Sequence, residues 1–310
     1  KIEAAIMNKE THYQFLFKSI GEKRFDEEMK NHTSLRVGGK ADIFISPKNV
    51  EELQDILEIV NQNDLPLFVL GEGTNLIVKD SGLRGVVLSM KKGFRHIEIM
   101  KNDKVTLVCG AGLGLSDLFH LCMEQGFTGL EDGAGIPGSL GGALMMNAGA
   151  KSWEMRDSVE AVVLCDLSGE IIRYEKREIQ FDYRSVRLPK DGIVLEVEIS
   201  LNRGDRDLIK EKYLTNMKQR KESQPLLFPS AGSIFKNPEG EEPAGKIIDE
   251  LGLKGYSIGG AEISKLHGNF IINKGNAIAA DIIGLIEYIE ETVFKERGVV
   301  LEREVCVVGE

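Results

Sequence analysis

Apolar residues recur at three- and four-residue spacing in a few stretches of this chain and alternate or run together in many more. After Pro47, the residues Val50, Leu53, Ile56, Leu57 and Val60 fall on one face of a 3.6-residue period, which predicts a helix that residues 61–64 end. Residues 115–125, 207–221, 244–251 and 277–296 read in the same way, 207–221 as a polar, amphipathic helix. Short β-rich runs occupy 43–45, 67–70, 76–78, 86–89, 97–99 and 105–109 in the first part of the chain. Further runs follow at 159–165, 171–174, 193–200 and 269–272, with a final alternating run at 299–308. Strand, helix, strand, glycine loop is the order of an α/β nucleotide-binding unit. Beyond residue 159 hairpins take over, the first turning through 166–170, and residues 201–205 break the pattern and mark a domain boundary. No internal repeat is visible.

The segment from Gly133 to Gly149, GAGIPGSLGGALMMNAG, packs six glycines and a proline among small residues. Glycine loses more backbone freedom on folding than any other residue, so this density suits a backbone laid directly against a ligand. Amide groups free of side-chain obstruction make an anion site, and a diphosphate is the usual occupant. The loop from Gly71 to Asn75, GEGTN, repeats the chemistry after the apolar run 67–70. Two such loops point to one large phosphate-bearing cofactor; the plain alternative is a pair of tight turns. A third glycine run, TLVCGAGLG ending at Gly114, imitates a dinucleotide fingerprint, but its last glycine comes one residue early and no second strand end places an acid afterwards.

At 310 residues, with 42% apolar and 28% charged positions, the chain has room for two domains and an ordinary core. Cys109, Cys122, Cys165 and Cys306 lie far apart with no metal-binding spacing, which reads as thiols in a reducing cytosol and gives no metal site. The charged leading segment 1–17 lacks the apolar core of a signal peptide, and no stretch approaches membrane-spanning length, so a cytoplasmic protein without membrane insertion is expected. A net charge of −10 argues against a nucleic-acid partner. Positive charge is local instead: Arg184, Arg187, Lys218, Arg220, Lys221 and Lys236 crowd two short windows, suited to a small anion if they share a cleft and otherwise to a solvated surface. In SAGSIFKNP, small residues flank Ser233, which without a nucleophile motif is as readily a turn or cap residue as a reactive one.

Taken in order, NHTSLRVGGKAD, LGEGTNLIV, GAGIPGSLGGALMMNAGA, FDYRSVRLP, SAGSIFKNP, HGNFIIN and LEREV closely resemble the UDP-N-acetylenolpyruvoylglucosamine reductase family, from about His32 to the C-terminus. The resemblance implies an α+β chain. An FAD-binding fold of the vanillyl-alcohol-oxidase (PCMH) type, in two lobes, would span 21–203 after an N-terminal segment 1–20. A separate α+β substrate domain would span 204–298, and a C-terminal strand, 299–310, would return to the FAD-binding part. It implies non-covalent FAD, NADPH as reductant and UDP-N-acetylglucosamine enolpyruvate as substrate, reduced to UDP-N-acetylmuramate in peptidoglycan precursor synthesis, and hence a place in cell wall formation, cell shape and division. Carried onto matching positions, Arg184, Ser233 and Glu304 would be catalytic. Gly71, Gly73, Thr74, Asn75, Ile136, Pro137, Gly138, Ser139, Gly142, Asn147 and Gly149 would line the cofactor, and Lys221 and Asn237 would hold substrate. Hydride delivery to the terminal carbon of an enolpyruvyl ether leaves carbanion character on its neighbour, which Ser233 would protonate while Arg184 and Glu304 stabilise the charge. Only about forty residues join Arg184 to Lys221, so the chain looks like the shorter type without a tyrosine-bearing substrate loop. A related FAD-linked oxidoreductase and a non-catalytic UDP-sugar-binding module are the alternatives. None of His12, His32, His96, His120 or His267 stands where a covalent flavin link would need it.

Overall fold

The computed structural model describes residues 9–101 and 104–310, so the start of the charged leading segment, residues 1–8, lies outside the described residues. The chain divides into two compact units, one made of the residues up to Glu27 with Ala41–Gly71 and Arg84–Asn216, the other of Glu28–Lys40, Glu72–Leu83 and Met217–Glu310. The 3.6-residue patterns and the β-rich runs both hold, giving an α+β chain.

The first unit is built on two sheets. One is mixed, in the order Lys23–Glu28, Lys40–Ile45, Leu83–Ser89, Leu67–Leu70, its last pair parallel. The other is antiparallel, running Ile171–Glu175, Val159–Asp166, Gly192–Arg203, Val105–Gly110, Ile97–Lys101. The helix Val50–Gln62 begins where the Asn49 side chain accepts the Glu52 N–H at 3.0 Å, with Glu51 and Glu52 at the positive end of its dipole. It buries the predicted face, Leu53, Ile56, Leu57 and Val60. These residues join Phe17 and Ile20, Ile43, Val86 and Leu88 of the mixed sheet, and Cys165, Ile193 and Leu195 of the antiparallel one in a single core. Each such aliphatic side chain contributes about 1.5–3 kcal/mol when fully buried, so this cluster is what fastens the two sheets. Cys109, Cys122 and Cys165 are buried free thiols, and burial pushes Cys109 and Cys122 up to about 12, away from nucleophilic chemistry.

Two details differ from the sequence reading, and the dinucleotide-like run behaves as that reading expects. The strand Gly192–Arg203 runs through Leu201–Arg203 because Leu201 pairs with Val105, while Asn202 and Arg203 pair with the short strand Phe127–Thr128. The dinucleotide-like run lies on a strand with antiparallel neighbours on both sides, which is not a Rossmann setting. Its glycines have a packing reason: a Cβ on Gly110 would meet the Phe94 carbonyl oxygen at 2.4 Å, and one on Gly112 the Met90 carbonyl oxygen at 2.1 Å. The expected 299–308 strand is reduced to Cys306–Val308, because residues just before it turn to another partner.

In the second unit a small antiparallel sheet, Ser257–Ile258, Ala261–Ile263 and Ile271–Asn273, packs with the helices Ala244–Glu250 and Ala279–Arg297. Its core takes Ile247, Ile263, Ile271, Ile282 and Leu285 together with Leu35, Val37 and Ile77 from the early segments. Cys306–Val308 pairs in parallel with Leu76–Val78. Asp80 accepts the Ala279 and Ala280 N–H groups at 2.9 and 3.0 Å, and Gly298 closes the same helix in the left-handed conformation, φ +70°.

Candidate active site

In the first unit the two glycine loops meet each other. A Cβ on Gly71 would lie 2.5 Å from the Ser139 hydroxyl oxygen. Ser139 starts the short helix Leu140–Met145, its hydroxyl accepting the Gly142 N–H at 3.4 Å. Other glycines of the 133–149 segment also have protein neighbours that a side chain would strike: the Trp153 ring 2.6 Å from a Cβ on Gly133, the Ala111 methyl 2.9 Å from one on Gly141. Gly142 is different. It is exposed, and only the Ser139 hydroxyl, at 3.3 Å, approaches its Cβ position, so here the missing side chain clears space in front of backbone. Gly138, at φ +124°, holds a conformation closed to other residues, between the exposed Pro137 and the buried Ser139; Ile136 is half-buried. The segment thus offers open backbone at Gly142 beside a turn that only glycine fits at Gly138.

Arg184 sits at the second position of a two-residue turn, between Asp182 and Ser185, which close the hairpin of Gln180–Asp182 with Ser185–Arg187. Its φ is +57°, a left-handed value that carries strain of order 1–3 kcal/mol for a non-glycine residue. An η nitrogen donates to the Gly149 carbonyl oxygen at 2.9 Å, and the guanidinium carbon lies 5.1 Å from the Tyr183 ring centre. Gly149 has no room for a side chain: a Cβ would stand 2.6 Å from the Trp153 carbonyl oxygen and 3.1 Å from the other Arg184 η nitrogen. The buried Asn147 side chain is bonded to Glu154, Arg156 and Asp182.

The second unit brings the segments that carry Ser233 and Glu304 side by side. Phe235 and Arg303 form an antiparallel bridge, the Glu304 N–H donates to the Ile234 carbonyl oxygen at 2.8 Å, and the Lys236 N–H to that of Glu302 at 2.8 Å. Ser233 is half-buried after Gly232, whose φ of +76° and open Cβ position again leave backbone accessible. Two amides that the sequence did not single out as structural fix this pair of segments. Asn269 accepts the Phe235 N–H at 2.9 Å and donates to the Phe235 carbonyl oxygen at 2.8 Å, while the side chain of Asn75, of the GEGTN loop, donates to the Glu304 carbonyl oxygen at 2.9 Å. In the same loop the buried Gly73, φ +65°, would drive a Cβ to 2.0 Å from the His32 carbonyl oxygen, and Thr74 is half-buried beside it.

The basic windows separate on inspection. Lys236 is neutralised by Glu302 at 2.5 Å, Lys218 faces Glu222 at 4.0 Å, and Arg187 faces Asp182 at 3.9 Å. Lys221, exposed near the end of the helix Arg206–Ser223, has no acidic partner among the described residues, and neither has Arg220. Arg220 carries a buried Nε without a hydrogen-bond partner, and one turn later Gln224 carries an equally buried, unmet Oε1. Burial lowers the basicity of Arg220. Gln224, just before Pro225, carried no motif by which the sequence marks it. Asn237 accepts the Ala244 N–H at 3.2 Å, which leaves the NH2 end of its amide for another partner. Among the described residues no cluster of His, Cys, Asp or Glu is placed to hold a metal ion, and no helix is long and apolar enough to cross a membrane.

Comparison with known proteins gives two family matches, to an FAD binding domain over residues 41–175 and to the UDP-N-acetylenolpyruvoylglucosamine reductase C-terminal domain over 224–308. Among curated relatives, the UDP-N-acetylenolpyruvoylglucosamine reductase of Caldanaerobacter subterraneus subsp. tengcongensis is 44% identical over 94% of this chain and 95% of its own length. That of Geobacillus kaustophilus is 42% identical over 96% and 97%. The crystal structure of the Thermus caldophilus reductase superposes with a TM-score of 0.79 at 36% identity, covering 93% of this chain and 98% of that one. The fold is therefore the expected one, α+β with an FAD-binding domain of the vanillyl-alcohol-oxidase type. With the glycine loops, the FDYR turn and the paired SAGS and LEREV segments all lying within the matched length, this chain belongs to the UDP-N-acetylenolpyruvoylglucosamine reductase family.

Proposed function

We propose that this chain reduces the enolpyruvyl group of UDP-N-acetylglucosamine enolpyruvate to give UDP-N-acetylmuramate, using NADPH and a non-covalently held FAD. The observation that carries the reading is the backbone pairing of SAGSIFKN with LEREV, which sets a small-residue serine and a glutamate on neighbouring segments that Asn75 and Asn269 hold. FAD, when bound, supplies the hydride, taken from NADPH, to the terminal carbon of the enolpyruvyl ether. Gly71, Gly73, Thr74, Asn75 and the stretch Ile136, Pro137, Gly138, Ser139, Gly142 and Gly149 would hold it, Asn75 by shaping its loop.

The chain's own residues then have three tasks. An enol ether is electron-rich and accepts hydride only if its carboxylate takes up the developing negative charge. Arg184 has a fixed fork of donors for that carboxylate, and Glu304 would add another if it carries a proton there. The neighbouring carbon, with carbanion character, must be protonated; Ser233 is the general acid, because a carbanion is basic enough to accept even a hydroxyl proton when cations stabilise the alkoxide left behind. Lys221 and Asn237 hold the UDP-sugar. Arg220 and Gln224, a buried donor and acceptor without partners, support extending that set to the nucleotide end. We place the FAD-binding part at 21–203, the substrate part at 204–298 and a returning C-terminal segment at 299–310, whose strand is Cys306–Val308. We place the activity in the cytoplasm, where NADPH and reduced thiols are found; there it would serve cell wall formation, cell shape and division.

Stopped-flow separation of the two half-reactions tests the assignment. Ser233→Ala is expected to leave flavin reduction by NADPH near normal and to slow reoxidation by the enolpyruvyl substrate by at least about 10²-fold, the lower end for a positioned general acid. A variant slowed only in the NADPH half-reaction removes Ser233 from this role.

A further inference from the structure

We infer that Asn147 is a positioning residue for Arg184, holding the turn that aims its guanidinium. The inference rests on the reading of Arg184 as a catalytic residue and asks what keeps it in place. Asn147 is wholly buried, 0% exposed, at the end of the glycine segment, and every hydrogen-bonding group of its side chain is engaged. Its amide nitrogen donates to Glu154 Oε2 at 3.0 Å and to the Asp182 carbonyl oxygen at 3.0 Å, and its amide oxygen accepts the Arg156 N–H at 3.1 Å. Asp182 is the residue from which the Tyr183–Arg184 turn departs. The turn is thus tied down at two points by one short piece of chain: at Asp182 by Asn147, and at Arg184 itself by the Gly149 carbonyl oxygen at 2.9 Å.

The residue type follows from these bonds. Two donors and one acceptor on one short planar group are needed; aspartate lacks the donors and would face the Glu154 carboxylate, glutamine is a methylene too long, and serine is too short to reach three partners. Asn147 also holds φ +39°, a left-handed value that asparagine tolerates better than most residues. A left-handed arginine in a turn is a strained arrangement that persists only where its surroundings over-determine it, and Asn147 with Gly149 supplies that surrounding. The sequence reading had placed Asn147 on the cofactor; its side chain works on the protein instead.

The test is a double-substitution cycle in the FAD-loaded enzyme, with rates of both half-reactions, flavin content and affinity for UDP-N-acetylmuramate, together with hydrogen exchange of residues 182–186 in FAD-free protein. Asn147→Ala is expected to slow reoxidation by substrate about 10- to 100-fold, the scale for an ångström-sized misplacement of a reacting group, with flavin content and NADPH reduction unchanged. Amide exchange at 182–186 should quicken in the FAD-free variant. In the Arg184→Ala background the same substitution should change the rate by less than about twofold, because interacting residues are non-additive. Equal slowing in both backgrounds, slowed flavin reduction, or lost flavin overturns the inference. If Arg184→Ala itself leaves reoxidation unchanged, the underlying catalytic reading fails and the inference falls with it, a separable result. Should Asn147→Ala fail to fold, Asn147→Asp, which keeps the acceptor for Arg156 and loses both donors, carries the same cycle.

Discussion

Gly71→Ala probes why the first glycine loop is a glycine loop at all. Gly71 does not hold a left-handed φ, so alanine suits its backbone, and the obstacle is one atom: the Ser139 hydroxyl oxygen 2.5 Å from the new methyl, with the Ser139 Cβ at a comfortable 3.7 Å. To relieve the contact Ser139 must rotate. That sacrifices its long bond to the Gly142 N–H, about 0.5 kcal/mol at the weak end of helix capping, and an off-rotamer position adds about 0.5–1.5 kcal/mol. Against this, alanine restricts the unfolded chain and returns about 0.4–1 kcal/mol. The net loss is about 0–1.6 kcal/mol, centred near 0.8. Ser139→Ala alone loses only the cap, and once the hydroxyl is gone Gly71→Ala should turn stabilising, by about 0.5 kcal/mol. Urea unfolding followed by circular dichroism, with unchanged m-values, reads both numbers. The sign reversal is the signature. A Gly71→Ala effect of the same sign and size in both backgrounds refutes the argument that the two loops meet at Ser139.

Gly138→Val, placed at φ +124° in the cofactor segment, should give folded, colourless protein, read by the flavin band after purification; a fully yellow variant contradicts the loop assignment. Both Glu304→Gln and Glu304→Asp should impair substrate reoxidation without loss of flavin, and Gln should also remove an acid limb from the pH profile; near-normal turnover in both would make Glu304 structural. The Ser168 hydroxyl bond, with backbone N–H groups and Lys190, holds Asp166 down to about 2 against an ordinary value near 3.8. Its stabilising effect is therefore complete above about pH 4 and lost as pH falls towards 2; Asp166→Asn should flatten the acid-unfolding curve in that window, and an unchanged curve would show the loop contributes nothing there.

Much of the fold was legible because its signal is local. The helices Val50–Gln62 and Leu115–Gln125 announce themselves by apolar spacing and by Asn49, Gly114 and Gly126 at their ends. Strand ends were less so: Leu201–Arg203 look like a break, yet remain in a strand because Val105, Phe127 and Thr128 are there to pair with, a fact no local window contains. The polar strand Lys23–Glu28 has no apolar run to betray it and is recruited by its neighbour Lys40–Ile45. For the site, the motifs named the residues but not their work. Density of glycine suggested a ligand throughout the segment, whereas Gly71, Gly133, Gly141 and Gly149 are each fitted to a protein atom, and Gly142 opens outward. Asn75, Asn147 and Asn269 carry one residue type and bind backbone; which carbonyl an amide reaches depends on chain segments that meet only after folding.

The parallel pairing of Leu76–Val78 with Cys306–Val308 joins positions about 230 residues apart. On a ribosome adding about 5–20 residues per second, the first of these strands waits roughly 10–50 s for the second. Throughout that interval Ile77, Leu35 and Val37, all destined for the second unit's core, have no finished core to enter, and from Asn216 onward they wait beside a first unit whose residues have all been made. A nascent chain thus carries an apolar strand with an open edge until Cys306–Val308 has been made, the kind of segment that chaperones shield. The same order makes Glu304 the last of the proposed catalytic residues to be synthesised, so a ribosome that stops early releases a chain with its first unit complete and its chemistry absent.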